Sequence, residues 1–173
     1  SIIFWAAWVI IPIVMEIIPT IGNFVILIKK KIVSRKEKAV DFSPEITMII
    51  PVYNQEHSLK RCIRSINDSN YPNDKIYILV VNNMSTDHSF EVFCDCQEEI
   101  PELTMNWVNS RQGKSKALNL GLFNSFGKYV IHIDSDGVLQ KDAIRNMVTK
   151  FERNPDIDCR TGTIMTNPEL IDD

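Results

Sequence analysis

Residues Asp134-Ser135-Asp136-Gly137 place two carboxylates one residue apart, at the end of the mainly apolar run Tyr129-Val130-Ile131-His132-Ile133. In an extended backbone residues i and i+2 project to the same side, so Asp134 and Asp136 can face one ligand. Like charges that close repel, and the repulsion calls for water, a basic partner or a metal ion. Hard carboxylate oxygens suit Mg²⁺ or Mn²⁺, which complete their shells with water and substrate phosphates. Such an ion would also screen a diphosphate leaving group during a transfer reaction. The same four residues are good turn or helix-cap material, which is the simpler reading of the motif alone.

Three further polar segments follow apolar runs: Tyr53-Asn54-Gln55-Glu56, Asn82-Asn83-Met84-Ser85-Thr86-Asp87 and Arg111-Gln112-Gly113-Lys114. In the last, Gly113 permits close backbone approach. The helix expected to begin there offers its N-terminus to anions, and Arg111 and Lys114 add positive charge. Gly113-Lys114-Ser115 matches the tail of a P-loop. The first glycine of that pattern would fall at Val108, so the match fails where backbone freedom matters most.

The elements that must position these residues alternate. Strands are expected over 46–53, 75–81, 103–109, 129–133 and 159–166, and helices over 58–68, 87–99, 114–125 and 142–153. Leu59, Cys62, Ile63 and Ile66 fall at i, i+3, i+4 and i+7, and Ile144, Met147, Val148 and Phe151 share one helical face. Gly127 follows the third of these helices as a stop signal. Alternation with short loops implies an α/β fold with right-handed crossovers and a mostly parallel sheet. The nearly continuous apolar strands imply a sheet covered on both faces. Ligands of such sheets bind beyond the carboxyl ends of the strands, where all four polar segments fall.

Bulk properties exclude some classes. A net charge of −3 over 173 residues argues against a general nucleic-acid binder. Cys62, Cys94, Cys96 and Cys159 lack the paired spacing of a zinc site and read as reduced and structural. Residues 2–28 are almost wholly apolar and long enough to span a bilayer, with kink sites at Pro12 and Pro19 and interfacial Trp5 and Trp8. Lys29-Lys30-Lys31, Arg35, Lys36 and Lys38 follow, and no basic residue precedes, which puts residue 29 onward on the cytoplasmic side of the cell membrane. Glu16 lies inside the apolar run and receives no role. The expected organisation is a membrane helix with a basic stop over 1–31, a linker over 32–44, and an α/β domain from residue 45. The chain starts without Met and stops after an expected strand, so both ends are expected to be cut.

The chain resembles the family 2 glycosyltransferases, whose donor half is a Rossmann-like GT-A domain. Pro51-Val52-Tyr53-Asn54-Gln55-Glu56, Val81 to Asp87, Gly113 to Asn119 and Asp134-Ser135-Asp136 carry the resemblance, in matching order and spacing over residues 46–166. The resemblance implies a nucleotide-sugar donor, most often UDP-linked, a glycan or lipid-linked acceptor, inversion at the anomeric carbon, and Mg²⁺ or Mn²⁺. By position it puts Pro51, Tyr53 and Glu56 on the nucleotide pocket and Asn82 and Asn83 beside the base. Lys114 falls near the phosphates, Asp134 by the ribose or metal, and Asp136 on the metal. The anchor further resembles membrane enzymes that build bacterial polysaccharide alongside other membrane proteins, nearest an exosortase-associated Gram-positive subgroup.

Three departures stand out, the mildest being Gly137, which replaces a residue that the family often has as polar or acidic and is expected to be tolerated. Asn82 and Asn83 occupy positions that the family often fills with acids, so they bring no charge to the base. The family's general base, an Asp downstream of the metal motif, has no counterpart before residue 173, so the domain reads as C-terminally incomplete. The alternatives are a catalytically inactive, membrane-tethered binding or scaffold protein, and a sugar-phosphate nucleotidyltransferase. The latter would want a glycine-rich basic loop where Asn54-Gln55-Glu56-His57 stands. His132 reads as structural, His57 and His88 as surface or caps, and Trp107 as core. Lys141, Arg145 and Lys150 read as a solvated helix face.

Overall fold

A computed structural model describes residues 15–26, 28, 42–154, 156, 158, 159 and 162. The chain divides into two compact units, Ser1–Lys38 and Ala39–Asp173. In the first, residues 15–26 form helix α1, with Met15, Ile18, Phe24 and Ile26 exposed. Among the described residues no helix is long and apolar enough to cross a membrane. The rest of the expected span and all of its basic stop lie outside the described residues.

The second unit runs β1 (Ile46–Val52), α2 (Leu59–Asn67), a short 3₁₀ turn (Asn73–Lys75), β2 (Ile76–Asn82), α3 (Ser89–Glu99), β3 (Thr104–Asn109), α4 (Lys114–Phe123), β4 (Tyr129–His132) and α5 (Ala143–Arg153). All three strand pairings are parallel, in the order β3-β2-β1-β4. The expected α/β class and parallel sheet are therefore present. The strand expected over 159–166 lies outside the described residues apart from Cys159 and Gly162.

β1 alternates between two cores. Met48 and Ile50, with Ile78 and Val80 of β2, pack against Leu59, Cys62, Ile63 and Ile66 of α2, Phe93 and Cys96 of α3, and Ile144 and Val148 of α5. Ile49, Leu79 and Val81 face Ala117 of α4. Each fully buried Ile or Leu contributes about 1.5–3 kcal/mol. α4 lies close on β1, since a Cβ on Gly121 would stand 2.6 Å from Ile49 Cγ2.

Coverage is unequal, which differs from the sequence expectation. α4 covers β1 and β2 but leaves Val130 of β4 exposed. α4 also ends at Phe123, and Gly127 is not its cap. Gly127 instead has φ +90° and lets the chain pass Glu45, whose carbonyl oxygen would sit 2.6 Å from an added Cβ. Arg145 is not part of a solvated face. It donates to Ser43 Oγ and the Asn70 carbonyl and lies over the Tyr71 ring. Tyr71 in turn donates to the Pro44 carbonyl at 2.5 Å, so the end of the expected linker is tied to the domain. The described cysteines are free, as expected, with Cys62 and Cys96 buried.

Candidate donor site at the carboxyl edge of the sheet

β1 connects to β2 on one side, whereas β4 adds on the other. In open α/β sheets such a reversal creates a ligand-binding crevice, which here would lie beyond the carboxyl ends of β1 and β4. Pro51 explains where it begins. The β1–β4 ladder runs to the bond from Ile133 N to the Ile49 carbonyl at 3.1 Å. The next bond would need a backbone N–H from residue 51, and proline has none.

The loops after β1 and β2 are clasped together. Asn54, at φ +52°, donates its N–H to Ser85 Oγ at 3.1 Å and accepts from Thr86 N at 2.8 Å. Gln55 N donates to Ser89 Oγ at 2.9 Å. Glu56 N donates to Asp87 Oδ2 at 3.0 Å, and Glu56 Oε2 accepts from His88 N at 2.9 Å. Partial burial pushes the Asp87 pKa up, but hydrogen bonds from the Ser89 hydroxyl and from the Glu56 and Ser89 amides outweigh it. The carboxyl rests below its usual range.

The loop after β3 is tied to the same frame by two amides. Asn82 Oδ1 accepts from Ser85 N at 2.9 Å, and Asn82 Nδ2 donates to Asn109 Oδ1 at 2.9 Å. Asn109 Oδ1 also accepts from Trp107 Nε1 at 3.1 Å. Asn83 Oδ1 accepts from Gly113 N at 2.6 Å. Gly113 has φ +128°, and its carbonyl accepts from Lys116 N and Ala117 N, which starts α4. Space does not demand glycine there, because an added Cβ would meet nothing nearer than 3.8 Å.

That geometry delivers Lys114 across the crevice. Its Nζ donates to Asp134 Oδ1 at 2.7 Å, with the two side chains 60% and 54% exposed. His132 Nε2 lies 3.4 Å from the same oxygen. Lys114 holds the Asp134 carboxyl below its usual range, against a smaller opposing push from burial, and His132 acts in the same direction. The sequence offered water, a basic partner or a metal as compensation for the two carboxylates. Lys114 supplies the basic partner for Asp134. Asp136 is exposed and accepts no hydrogen bond from the described residues. Between them Ser135 is buried, and Gly137 N closes a turn onto the Asp134 carbonyl at 2.8 Å. The turn reading of Asp-Ser-Asp-Gly is thus correct: the two carboxylates stand on a turn and not on the extended backbone expected from sequence, so the i, i+2 alternation does not set their directions, and both are exposed.

Two exposed carboxylates are a fit donor set for Mg²⁺ or Mn²⁺, which bind through one or two carboxylates plus substrate phosphates. They fall short of a self-sufficient cage, as no group of three or more His, Cys, Asp or Glu side chains converges among the described residues. Cys62 lies beneath the turn, 3.7 Å from the Asp134 carbonyl. Burial first, then Asp136, push its thiol up to about 12, so it stays neutral and inert.

Among the residues singled out from sequence, Tyr53 is exposed at the mouth of the crevice, Lys114 meets Asp134, and Asp136 is exposed two residues further along the same turn. Glu56, Asn82 and Asn83 are instead engaged with neighbouring loops. His132, read as structural, stands at the site. His57 and His88 are exposed surface residues, as expected. Trp107 packs between Phe90 and Phe93 at a half-buried edge. Sequence reasoning placed Asn54, Ser85 and Asp87 in the edge loops without giving them a framework role, and it missed Ser89. Their signal was available as two Asx- and Ser-rich turns facing each other across adjacent strands.

Residues 47–169 match the family described as Glycosyl transferase family 2. The chain belongs to that family. It is 39% identical over 107 residues to glycosyltransferase GlyA of Streptococcus pneumoniae, covering 62% of this chain and 15% of that one. It is 26% identical over 129 residues to the poly-β-1,6-N-acetyl-D-glucosamine synthase of Staphylococcus epidermidis, covering 72% and 29%. Among solved structures it resembles the mannosyltransferase PcManGT of Pyrobaculum calidifontis in complex with GDP-Man and Mn²⁺. The TM-score is 0.61 and the identity 26%, over 76% of this chain and 40% of that one. The chain therefore spans well under half the length of these relatives.

Proposed function

We propose that this family 2 domain is the donor half of a membrane-anchored, inverting glycosyltransferase that uses a UDP-linked sugar and a divalent metal, with a glycan or lipid-linked acceptor. The observation that carries the reading is the ion pair of Lys114 with Asp134, beside an exposed Asp136 that accepts no hydrogen bond from the described residues, at the switch point of a parallel sheet. Lys114 would move from Asp134 to a donor phosphate, and the vacated carboxylate with Asp136 would hold Mg²⁺ or Mn²⁺. The ion would supply charge neutralisation for the departing diphosphate. Tyr53, exposed beside the clasped loops, is positioned to line the nucleoside. Mn²⁺ with GDP-Man in the archaeal mannosyltransferase supports the metal and donor class but leaves uridine against guanosine to experiment.

Titration calorimetry of UDP and GDP, with and without Mn²⁺, tests the proposal on the whole chain. We expect Mn²⁺-dependent UDP binding that Asp136→Ala abolishes. Binding unchanged by that substitution removes the metal role, and tighter GDP binding reverses the base assignment. A folded chain that binds neither nucleotide favours the scaffold alternative, which gains support from Asn82 and Asn83 being engaged within the protein.

The anchoring part of the proposal rests on the apolar sequence over 2–28 and the Lys29-Lys30-Lys31 stop. Protease added outside intact cells should leave residues 40–173 uncut. Cleavage there places the domain on the opposite side.

A further inference from the structure

We propose that Asn82 and Asn83 are positioning residues: they lock the β3–α4 turn so that Lys114 is presented to the donor phosphates. The proposal rests on the donor-site reading above and replaces direct contact with the base by these two amides. Three observations carry it. Asn83 Oδ1 takes the Gly113 N–H at 2.6 Å, and Gly113 is the residue immediately before Lys114. Asn82 joins the end of β2 to Asn109, two residues before Arg111, and its side-chain oxygen anchors Ser85 N. Its backbone carbonyl also accepts from both the N–H and the hydroxyl of Ser110, at 2.8 and 3.1 Å.

The two amides are chemically unequal. Asn83 uses only its oxygen, so a carboxylate can do the same work. Asn82 uses its oxygen and its nitrogen. A carboxylate at residue 82 would set an oxygen against Asn109 Oδ1, where the donor now lies at 2.9 Å. Turning the Asn109 amide around would relieve that clash but would leave Trp107 Nε1 facing an NH₂ group. The hydrogen-bond chain from Ser85 to Trp107 therefore accepts Asn and rejects Asp at residue 82, while residue 83 accepts either.

The test uses the full chain and its N82D, N83A, N83D, K114A and N83A/K114A variants. Hydrogen exchange at the Gly113 amide is read alongside UDP affinity in Mn²⁺. We expect N83A to speed Gly113 exchange and weaken UDP, each by about fivefold to tenfold, the value of one neutral hydrogen bond. N83D should restore both, and N82D should shift the Trp107 indole N–H resonance and weaken UDP. The double variant should bind UDP no more weakly than K114A alone. The proposal is overturned if N83D is as impaired as N83A, if N82D is silent, or if the N83A and K114A losses multiply, which would mean direct ligand contact. If the unmodified chain binds no nucleotide, the donor-site reading falls. Gly113 exchange needs no ligand and still decides the clamp: equal rates in the chain and N83A refute it.

Discussion

Replacing Lys114 with alanine should separate the fold from the site. The ammonium's partner in the protein is Asp134 Oδ1 at 2.7 Å, and both side chains are more than half exposed. An exposed pair of this kind is worth at most about 1 kcal/mol of stability. The thermal midpoint should therefore fall by no more than about 2–4 °C in a chain of this length. A charge-assisted hydrogen bond to a phosphate is worth about 1.5–3 kcal/mol, so UDP affinity should fall by roughly tenfold to a hundredfold. Affinity for Mn²⁺ alone should move the other way or stay constant. The substitution removes a cation beside the proposed metal ligand and frees the oxygen it occupied. Calorimetric titrations of UDP with Mn²⁺ and of Mn²⁺ alone, with a melting curve on each protein, read all three numbers. Unchanged UDP affinity would refute the phosphate role, and a parallel loss of metal and nucleotide binding would show that Lys114 instead builds the Asp134–Asp136 turn.

Two further outcomes follow from the frame around the site. Asp87→Asn keeps the shape but presents an NH₂ where the Glu56 or Ser89 amide now donates, and should cost about 1–3 kcal/mol in urea denaturation at neutral pH. Because Asp87 titrates below the ordinary 3.8 in the folded protein, its contribution is full above that value and fades as pH falls through the lower folded value. The gap between the two proteins should be flat from neutral pH to about 4 and then close, and a gap that widens on acidification would contradict the assignment. Gly127→Ala must bring a Cβ to 2.6 Å from the Glu45 carbonyl oxygen at φ +90°, and should cost about 3 kcal/mol by the same denaturation assay. A loss under about 1 kcal/mol would mean that the 42–45 segment shifts at little cost.

Much of this architecture was legible because two independent local patterns agreed. The nearly continuous apolar run at 46–53 specifies a strand buried on both faces, and the i, i+3, i+4, i+7 pattern at 59–66 specifies the helix face that covers one of them. The carboxyl-edge loops were legible for a topological reason: once the sheet is parallel, every strand-to-helix loop falls at one edge. Coverage and caps were less legible. Val130 belongs to an apolar run yet stays exposed, because burial depends on where α4 crosses the sheet and not on the strand's own composition. Gly127 looked like a helix stop. Its role is set by Glu45, more than eighty residues earlier in sequence, and no local pattern records that approach.

The site shows the same division. Residue type, the shared sheet edge and the family resemblance together singled out Lys114, Asp134 and Asp136, since a charge at the end of an apolar strand needs a counter-charge, water or a ligand to meet it. They did not separate side chains that face the crevice from those that build its walls. Glu56, Asn82 and Asn83 have polar groups suited to a ligand, but their hydrogen-bonding capacity is partly spent on backbone N–H groups of adjoining loops. Loops beyond a parallel sheet leave such donors unpaired, and buried or half-buried donors require acceptors. Short amide and carboxylate side chains at the strand ends are the nearest source. A polar residue at the carboxyl edge therefore has two competing employments, and the sequence does not rank them. What ranks them here is exposure with an open valence: Asp136 and Tyr53 are exposed, and Lys114 is bound only to a partner that a metal can take over. On that criterion the proposed donor-facing set is small, and Asn83, beside it, is spent on holding the Gly113 amide.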